Sequence, residues 1–248
     1  MTNNLKINDD KTEFLILTSK HQLHKAPNVQ LNVGNHIIEA SEGARNLGVY
    51  FDKSLSMERH IINVARSLNY HHRAIRSIRD ILTQSATEQL MHSLITSRLD
   101  YCNSLLADIP KLHLDKLQRC QNTAARIVVR LPKREHITPE LKALHWLPVH
   151  ARITFKLLLF IYRIINHMAP EYLKDIITLS EPKYNTRSSD KLKLDIPTTN
   201  LKTVGDRAFS VAEPKLWNNL PGDIQRAPSL SSFKTQLKTH LFTTSYKQ

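Results

Sequence analysis

Acidic residues, glycine and cysteine are all scarce in this 248-residue sequence. Only 22 Asp and Glu stand against 35 Lys and Arg, a formal net charge of +13. An excess of that size points to a polyanionic partner, of which nucleic acid is the commonest. Five glycines suit a helix-rich fold with few tight turns. Two cysteines, Cys102 and Cys120, make neither a disulfide framework nor a CxxC zinc pair, so a reducing, intracellular compartment is expected. Long apolar runs are lacking too. Leu157 to Ile161 ends at Tyr162-Arg163, far short of a bilayer span, and the first residues have no signal-peptide character. Secretion and membrane insertion are therefore not expected.

What is present is periodicity. Glu13 to Thr18 reads as a short buried strand. Val29, Leu31 and Val33 alternate with polar residues before Gly34-Asn35 and a return strand at Ile37-Ile38, a hairpin pattern. Leu47, Val49 and Phe51 alternate again around Gly48, where a bulge or close backbone approach excludes a side chain. From Ser54 the period lengthens to three and four: Met57, Ile61, Val64, Ala65, Leu68, Ile75 and Ile78, with Ser56 as N-cap. Ser85-Ala86-Thr87-Glu88 has capping-box form and opens a helix bearing Leu90, Met91, Leu94, Ile95 and Leu99. A third helix carries Leu114, Leu117, Cys120, Ala124 and Ile127 and ends before Pro132. Three amphipathic helices with short joints make a bundle.

Thr138-Pro139-Glu140 starts a further helix, with Pro where a missing amide costs nothing. Leu147-Pro148 breaks it. A longer helix follows with Ile153, Leu157, Phe160, Ile161, Ile164 and Met168, stopped by Pro170. Residues 180–205 read as an exposed connector, 208–212 as helical, Trp217 to Pro221 as a turn, and Leu230, Phe233, Leu237 and Leu241 as the face of a final helix. The expected fold is mainly α with a small N-terminal β portion: 1–53 strands, 54–135 a helical bundle, 136–248 a helical extension.

Catalytic constellations are missing. The adjacent pair Asp9-Asp10 sits in a polar lead and reads as a solvated turn or helix cap rather than a metal-binding strand turn. His21 and His24, His71 and His72, and His145 and His150 lack the partners that make a zinc site. No GxSxG or GxxxxGK[ST] occurs. The arginines say more. Arg59, Arg66 and Arg73 are spaced by seven with Arg76 beside them and Arg79 a turn on, and Lys116, Arg119, Arg126 and Arg130 share a side of the third helix. Few acids interrupt either row, so both read as phosphate-tracking faces rather than solvated ones. Tyr70, Tyr101, Trp146, Tyr162 and Trp217 are candidates for base stacking or for packing, Trp146 for packing.

A set of ordered blocks is more specific. They are Asn4 to Asn8 with Lys11-Thr12-Glu13, Leu47 to Asp52, Ser97 to Asn103, Gln121 to Arg126, Leu144 to Val149, Arg207 to Ser210, Leu216 to Pro221 and Phe233 to Phe242. Together they resemble the C-terminal part of reverse transcriptases of non-LTR (LINE-type, jockey or CR1-like) retrotransposons, over nearly the whole chain. The resemblance implies the end of a palm, a thumb at about residues 56–131, and a C-terminal extension. It places the palm's magnesium-binding aspartates upstream, so the chain would be a truncated RNA-directed DNA polymerase without catalysis or cofactor of its own, the intact parent using Mg²⁺. It matches Lys11 to a lysine near the leaving pyrophosphate, a general acid, and Leu47, Gly48 and Val49 to a hairpin that grips the primer end.

The expected activity is therefore nucleic-acid binding. Arg66, Arg73, Arg76, Arg119, Arg126 and Arg130 would hold RNA, DNA or an RNA–DNA hybrid, with a separate palm and fingers portion as a further partner. The setting would be a nuclear or cytoplasmic ribonucleoprotein, with no membrane involved. Two alternatives stay open: a module whose C-terminal helix face meets a protein partner, and a decayed copy without function.

Overall fold

Four strands of four residues each form two antiparallel hairpins, β1 Gln30–Val33 with β2 His36–Glu39 and β3 Gly43–Asn46 with β4 Val49–Asp52. This computed structural model describes residues 8, 11–19, 22, 29–34, 36–180, 192–199 and 205–247. Asn4 to Ile7, Asp9-Asp10, His21, His24, Asn35 and most of the 180–205 connector lie outside them. The chain is mainly helical after the hairpins. It divides into two units, 1–63 and 64–248, the division falling inside helix α1, Glu58–Ser77.

In the first unit, the hairpin expected around Gly34 is present, with Val33 opposite His36. The second hairpin corrects the alternation seen in the sequence. Asn46 faces Val49, so Leu47 (φ 46°) and Gly48 (φ 83°) are the two-residue turn itself. Two consecutive positive φ values make a type I′ turn, whose twist matches the strands it joins. Gly48 therefore supplies conformational freedom, not close approach, and Leu47 stands 82% exposed at the tip. Glu13–Thr18 is not a buried strand either. Its ladder contact is one parallel bridge, Phe14 to Ala40, and Leu17 is 54% exposed.

Ser56, the expected cap, accepts the first amide of α1, and Asp52 organises the turn that leads into the helix. The Asp52 carboxylate accepts the amides of Ser54, Ser56 and Met57 and the hydroxyls of Ser54 and Ser56, while Ser56 Oγ accepts only the Glu58 amide. Burial pushes the Asp52 pKa up, but the bonds from Ser56 and Ser54 outweigh it and hold the group below its ordinary value.

The second unit continues α1 and adds α2 Gln84–Met91, α3 Ser97–Asp100, α4 Lys111–Val129, α5 Thr138–Ala143, α6 Val149–Ile165, α7 Phe209–Asn218, α8 Gly222–Gln225 and α9 Leu230–Tyr246. A π-turn, His92–Thr96, joins α2 to α3. α2 is capped by Thr83, not by Ser85. Thr83 is extended (ψ 162°) and accepts the Ala86 amide at 3.2 Å, whereas Ser85 already lies in the first helical turn. Pro139 takes the expected first-turn place in α5.

Packing runs from α2 to α4, from α4 to α5 and α6, and from α6 to α7 and α9. Polar side chains tie these layers through backbone groups and one ion pair. Gln121 donates to the Leu147 carbonyl (2.8 Å), Gln118 accepts the Val149 amide (2.9 Å), and Arg152 grips Asp100 with two bonds at 2.8 and 2.7 Å.

One apolar cluster centres on Leu158, Ile161, Tyr162, Trp217, Phe233 and Leu237. Tyr162 stacks on Phe233 at 4.1 Å and donates its hydroxyl to the Ala227 carbonyl. Trp217, expected in a turn, lies in the last turn of α7, fully buried, with its indole N–H on the Leu192 carbonyl. The described part of the connector, 192–199, is mostly exposed as expected but is pinned at Leu194, which is buried and whose backbone exchanges two bonds with the Asn218 side chain. Met168, expected on α6, falls beyond its end and is exposed. Among the described residues no helix is long and apolar enough to cross a membrane.

Candidate nucleic-acid interface

Five arginines and no acid occur between Arg59 and Arg79. The structure sorts them. Arg59 belongs to the first unit and is engaged there, its guanidinium 4.0 Å from the Tyr50 ring centroid and bonded to the Tyr50 hydroxyl. Arg66, Arg73 and Arg76 are exposed on the part of α1 that belongs to the second unit. Burial of Leu68, His72 and Ile75 on the opposite side fixes that orientation.

α1 ends at Ser77, and the chain turns through a 3₁₀ segment, Arg79–Ile81, that reverses the direction of the next arginine. Arg79 points inward, with 8% exposure. Its Nε and Nη2 donate to the carbonyls of Ile127 and Val128 at 2.8 and 2.7 Å, and Nη1 to that of Leu82 at 2.8 Å. Ile127 and Val128 are in the last turn of α4, where carbonyls lack intrahelical partners and the helix dipole favours a cation. Arg79 is thus a helix cap supplied from elsewhere in the chain. Burial first, and the Arg130 guanidinium second, depress its pKa, with Asp80 partly opposing them.

Arg130 follows in a left-handed conformation (φ 56°) and donates to the Arg79 carbonyl at 3.1 Å. Arg126 holds the following loop by bonds to the carbonyls of Pro132 and Glu135 at 2.5 and 2.7 Å. That loop carries Lys133.

Together these elements enclose a cleft of about 780 Å³, lined by Arg76, Arg79, Arg119, Arg126, Arg130 and Lys133 with Asn122 and Thr123. Among the described residues no carboxylate lines it. Asp80 lies at its margin, 4.0 Å from Arg130 and almost fully exposed. Arg76, Arg119, Arg130 and Lys133 are exposed and present donors to the cleft. Arg79 and Arg126 spend their donors on backbone carbonyls, so they add field more than contacts. The six arginines expected to bind thus divide. Arg76, Arg119, Arg126 and Arg130 come together; Arg66 and Arg73 extend the row along α1 outside the cleft. Lys133 and the Asn122-Thr123 pair were not signalled by helical charge spacing. Asn122 and Thr123 follow Arg119 by three and four residues, which places them on its face.

In the first unit Lys11 borders a hollow of about 350 Å³ with Glu13, Arg45 and Phe51, while Leu47 and Gly48 form the exposed hairpin tip and Val49 is buried. Glu13 is occupied by the Arg45 amide at 3.1 Å. His72 is buried, with neither ring nitrogen hydrogen-bonded, and burial above all, then Arg76 and His71, lowers its pKa to about 4. Among the described residues no three His, Cys, Asp or Glu side chains are grouped to hold a metal ion.

The class defined by these features is a helical unit with a cationic cleft. No protein-family model, no curated protein and no solved structure matches the chain.

Proposed function

We propose that the second unit binds the sugar–phosphate backbone of nucleic acid in the cleft between the end of α1 and α4, as the thumb of a reverse transcriptase of the non-LTR type. The observation that carries the reading is the convergence of six cations on one cleft, with no carboxylate lining it among the described residues. Guanidinium and ammonium groups so placed displace condensed counterions from phosphates, a sequence-independent source of affinity. The partner is RNA, DNA or an RNA–DNA hybrid held without catalysis, in a nuclear or cytoplasmic ribonucleoprotein, alongside a palm and fingers portion. The rival in which α9 meets a protein partner loses its main support, because Phe233 and Leu237 are fully buried within the unit.

The test is fluorescence anisotropy of a labelled RNA–DNA hybrid over a range of KCl concentrations. Arg76, Arg119, Arg130 and Lys133, with Arg66 and Arg73, give a log–log slope of about −5 if each meets one phosphate. The double change Arg76→Gln/Arg119→Gln weakens binding and makes the slope shallower by roughly 2. A slope near zero, or a double variant that binds like the parent, overturns the reading.

A further inference from the structure

Of the five aromatic residues open to base stacking or packing, Trp146, Tyr162 and Trp217 are buried in the core. Tyr101 is about half exposed and has an interaction of its own. Tyr70 is different: it is 68% exposed in the middle of a stable helix, touching the edge of the His71 ring at 5.3 Å between centroids. It follows Arg66 by four residues and precedes Arg73 by three, so all three side chains share one face of α1. Arg66 and Arg73 are both exposed, and no acid lies between Arg59 and Arg79.

An exposed aromatic between two exposed arginines is no part of the core, and its surroundings repel cations while attracting polyanions. Arg66 and Arg73 stand roughly 10 Å apart along the helix axis. At about 3.4 Å per stacked nucleotide, that span covers roughly three nucleotides. A duplex keeps its bases inside its own stack and offers such a ring nothing but backbone. Unpaired bases present π faces that stack on an aromatic side chain whatever their identity.

We infer that the Arg66–Tyr70–Arg73 face is a stacking site for unpaired bases of single-stranded nucleic acid, with Tyr70 as the platform and the two arginines holding the flanking phosphates. The site rests on the reading that this unit binds nucleic acid, and it adds a strand preference that the cleft alone does not supply.

The full chain is tested with a short labelled oligo(dT) strand, a blunt DNA duplex, and a strand carrying 2-aminopurine. Tyr70→Ala lowers affinity for the single strand by roughly 5- to 100-fold and leaves the duplex affinity unchanged. Tyr70→Phe, which keeps the ring, retains binding. The parent quenches 2-aminopurine on binding and Tyr70→Ala does not. Circular dichroism confirms that the variants fold, as expected for an exposed position. If Tyr70→Ala binds the single strand like the parent while Arg76→Gln/Arg119→Gln weakens both probes, the stacking site is wrong and the cleft stands. If the cleft double variant has no effect on either probe, the reading beneath it falls as well.

Discussion

Arg79 lines the cationic cleft yet is the residue whose loss should look least like a binding defect. Replacing it with methionine keeps an unbranched stem of similar reach and removes the guanidinium. Three bonds disappear, to Ile127, Val128 and Leu82, and the two α4 carbonyls are left without that donor. Bonds from a charged donor contribute about 1.5–3 kcal/mol each, so the gross loss is roughly 5–9 kcal/mol. Against that, the variant no longer buries a charge, and Arg130 no longer faces a second guanidinium. A net destabilisation of about 3 kcal/mol is expected, in line with breaking a buried polar pair from one side. Urea denaturation followed by circular dichroism should show a lower midpoint at an unchanged slope. In a domain of this size the thermal midpoint should fall by about 6–12 °C. Arg76→Gln, by contrast, should stay within about 0.5 kcal/mol of the parent, because Arg76 is exposed and makes no internal bond of this kind. If Arg79→Met unfolded at the parent's urea concentration and lost hybrid binding as Arg76→Gln does, Arg79 would be a free ligand for phosphate. The capping assignment would then be refuted.

Stability should also depend on pH through two buried groups. Glu213 is buried with one carboxylate oxygen unbonded, and burial, with Asp108 adding to it against its own backbone bond, raises its pKa to about 8. Between the unfolded value of 4.5 and about 8, the folded state holds a proton that the unfolded chain has released, so stability falls as pH rises. His72 acts oppositely: lowered to about 4 from 6.5, it costs stability as pH falls through that window. The two slopes cancel between about 4.5 and 6.5 and leave a loss of roughly 2 kcal/mol from pH 6.5 to 8. Chemical denaturation across that range should show the decline in the parent and a flat profile in Glu213→Gln; a decline that survives in the variant removes Glu213 as its cause. Leu237→Ala, at a fully buried position of α9, should cost about 2–5 kcal/mol in the same assay. A cost below about 1 kcal/mol would mean that α9 is not part of the core and would restore the protein-partner alternative.

How much of this was legible in the sequence depended on whether the deciding partner was local. Three- and four-residue spacing located α1, α4, α6 and α9, since burial of one face repeats with the helix turn. The cap of α2 was misplaced by two residues because Thr83 and Ser85 have equivalent chemistry and only backbone conformation separates them. At Leu47-Gly48 the alternation was real in composition, but the pairing of Asn46 with Val49 made both residues a turn. The charge row was visible, and its sorting was not. Arg79, one turn beyond the row, is turned inward by carbonyls 48 and 49 residues away, which no local period reveals.

The same distinction separates the two supports for function. Many residues in the blocks that resemble reverse transcriptases have structural work to do. Asp100 receives Arg152, Gln121 holds Leu147, Trp217 holds Leu192, and Asn218 pairs with Leu194. Those blocks carry a fold. The exposed cleft cations Arg76, Arg119, Arg130 and Lys133, and the Arg66–Tyr70–Arg73 face, lie outside every block. The exposed cleft cations and the resemblance therefore rest on different side chains, while Asn122, Thr123 and Arg126 belong both to the cleft and to the Gln121 to Arg126 block. Substitutions in the blocks should act on stability first, and substitutions of the exposed cleft cations Arg76, Arg119, Arg130 and Lys133 on salt-dependent affinity alone. A variant at one of those four cations that unfolds the protein, or a block variant that changes only the salt slope, would merge the two and weaken both.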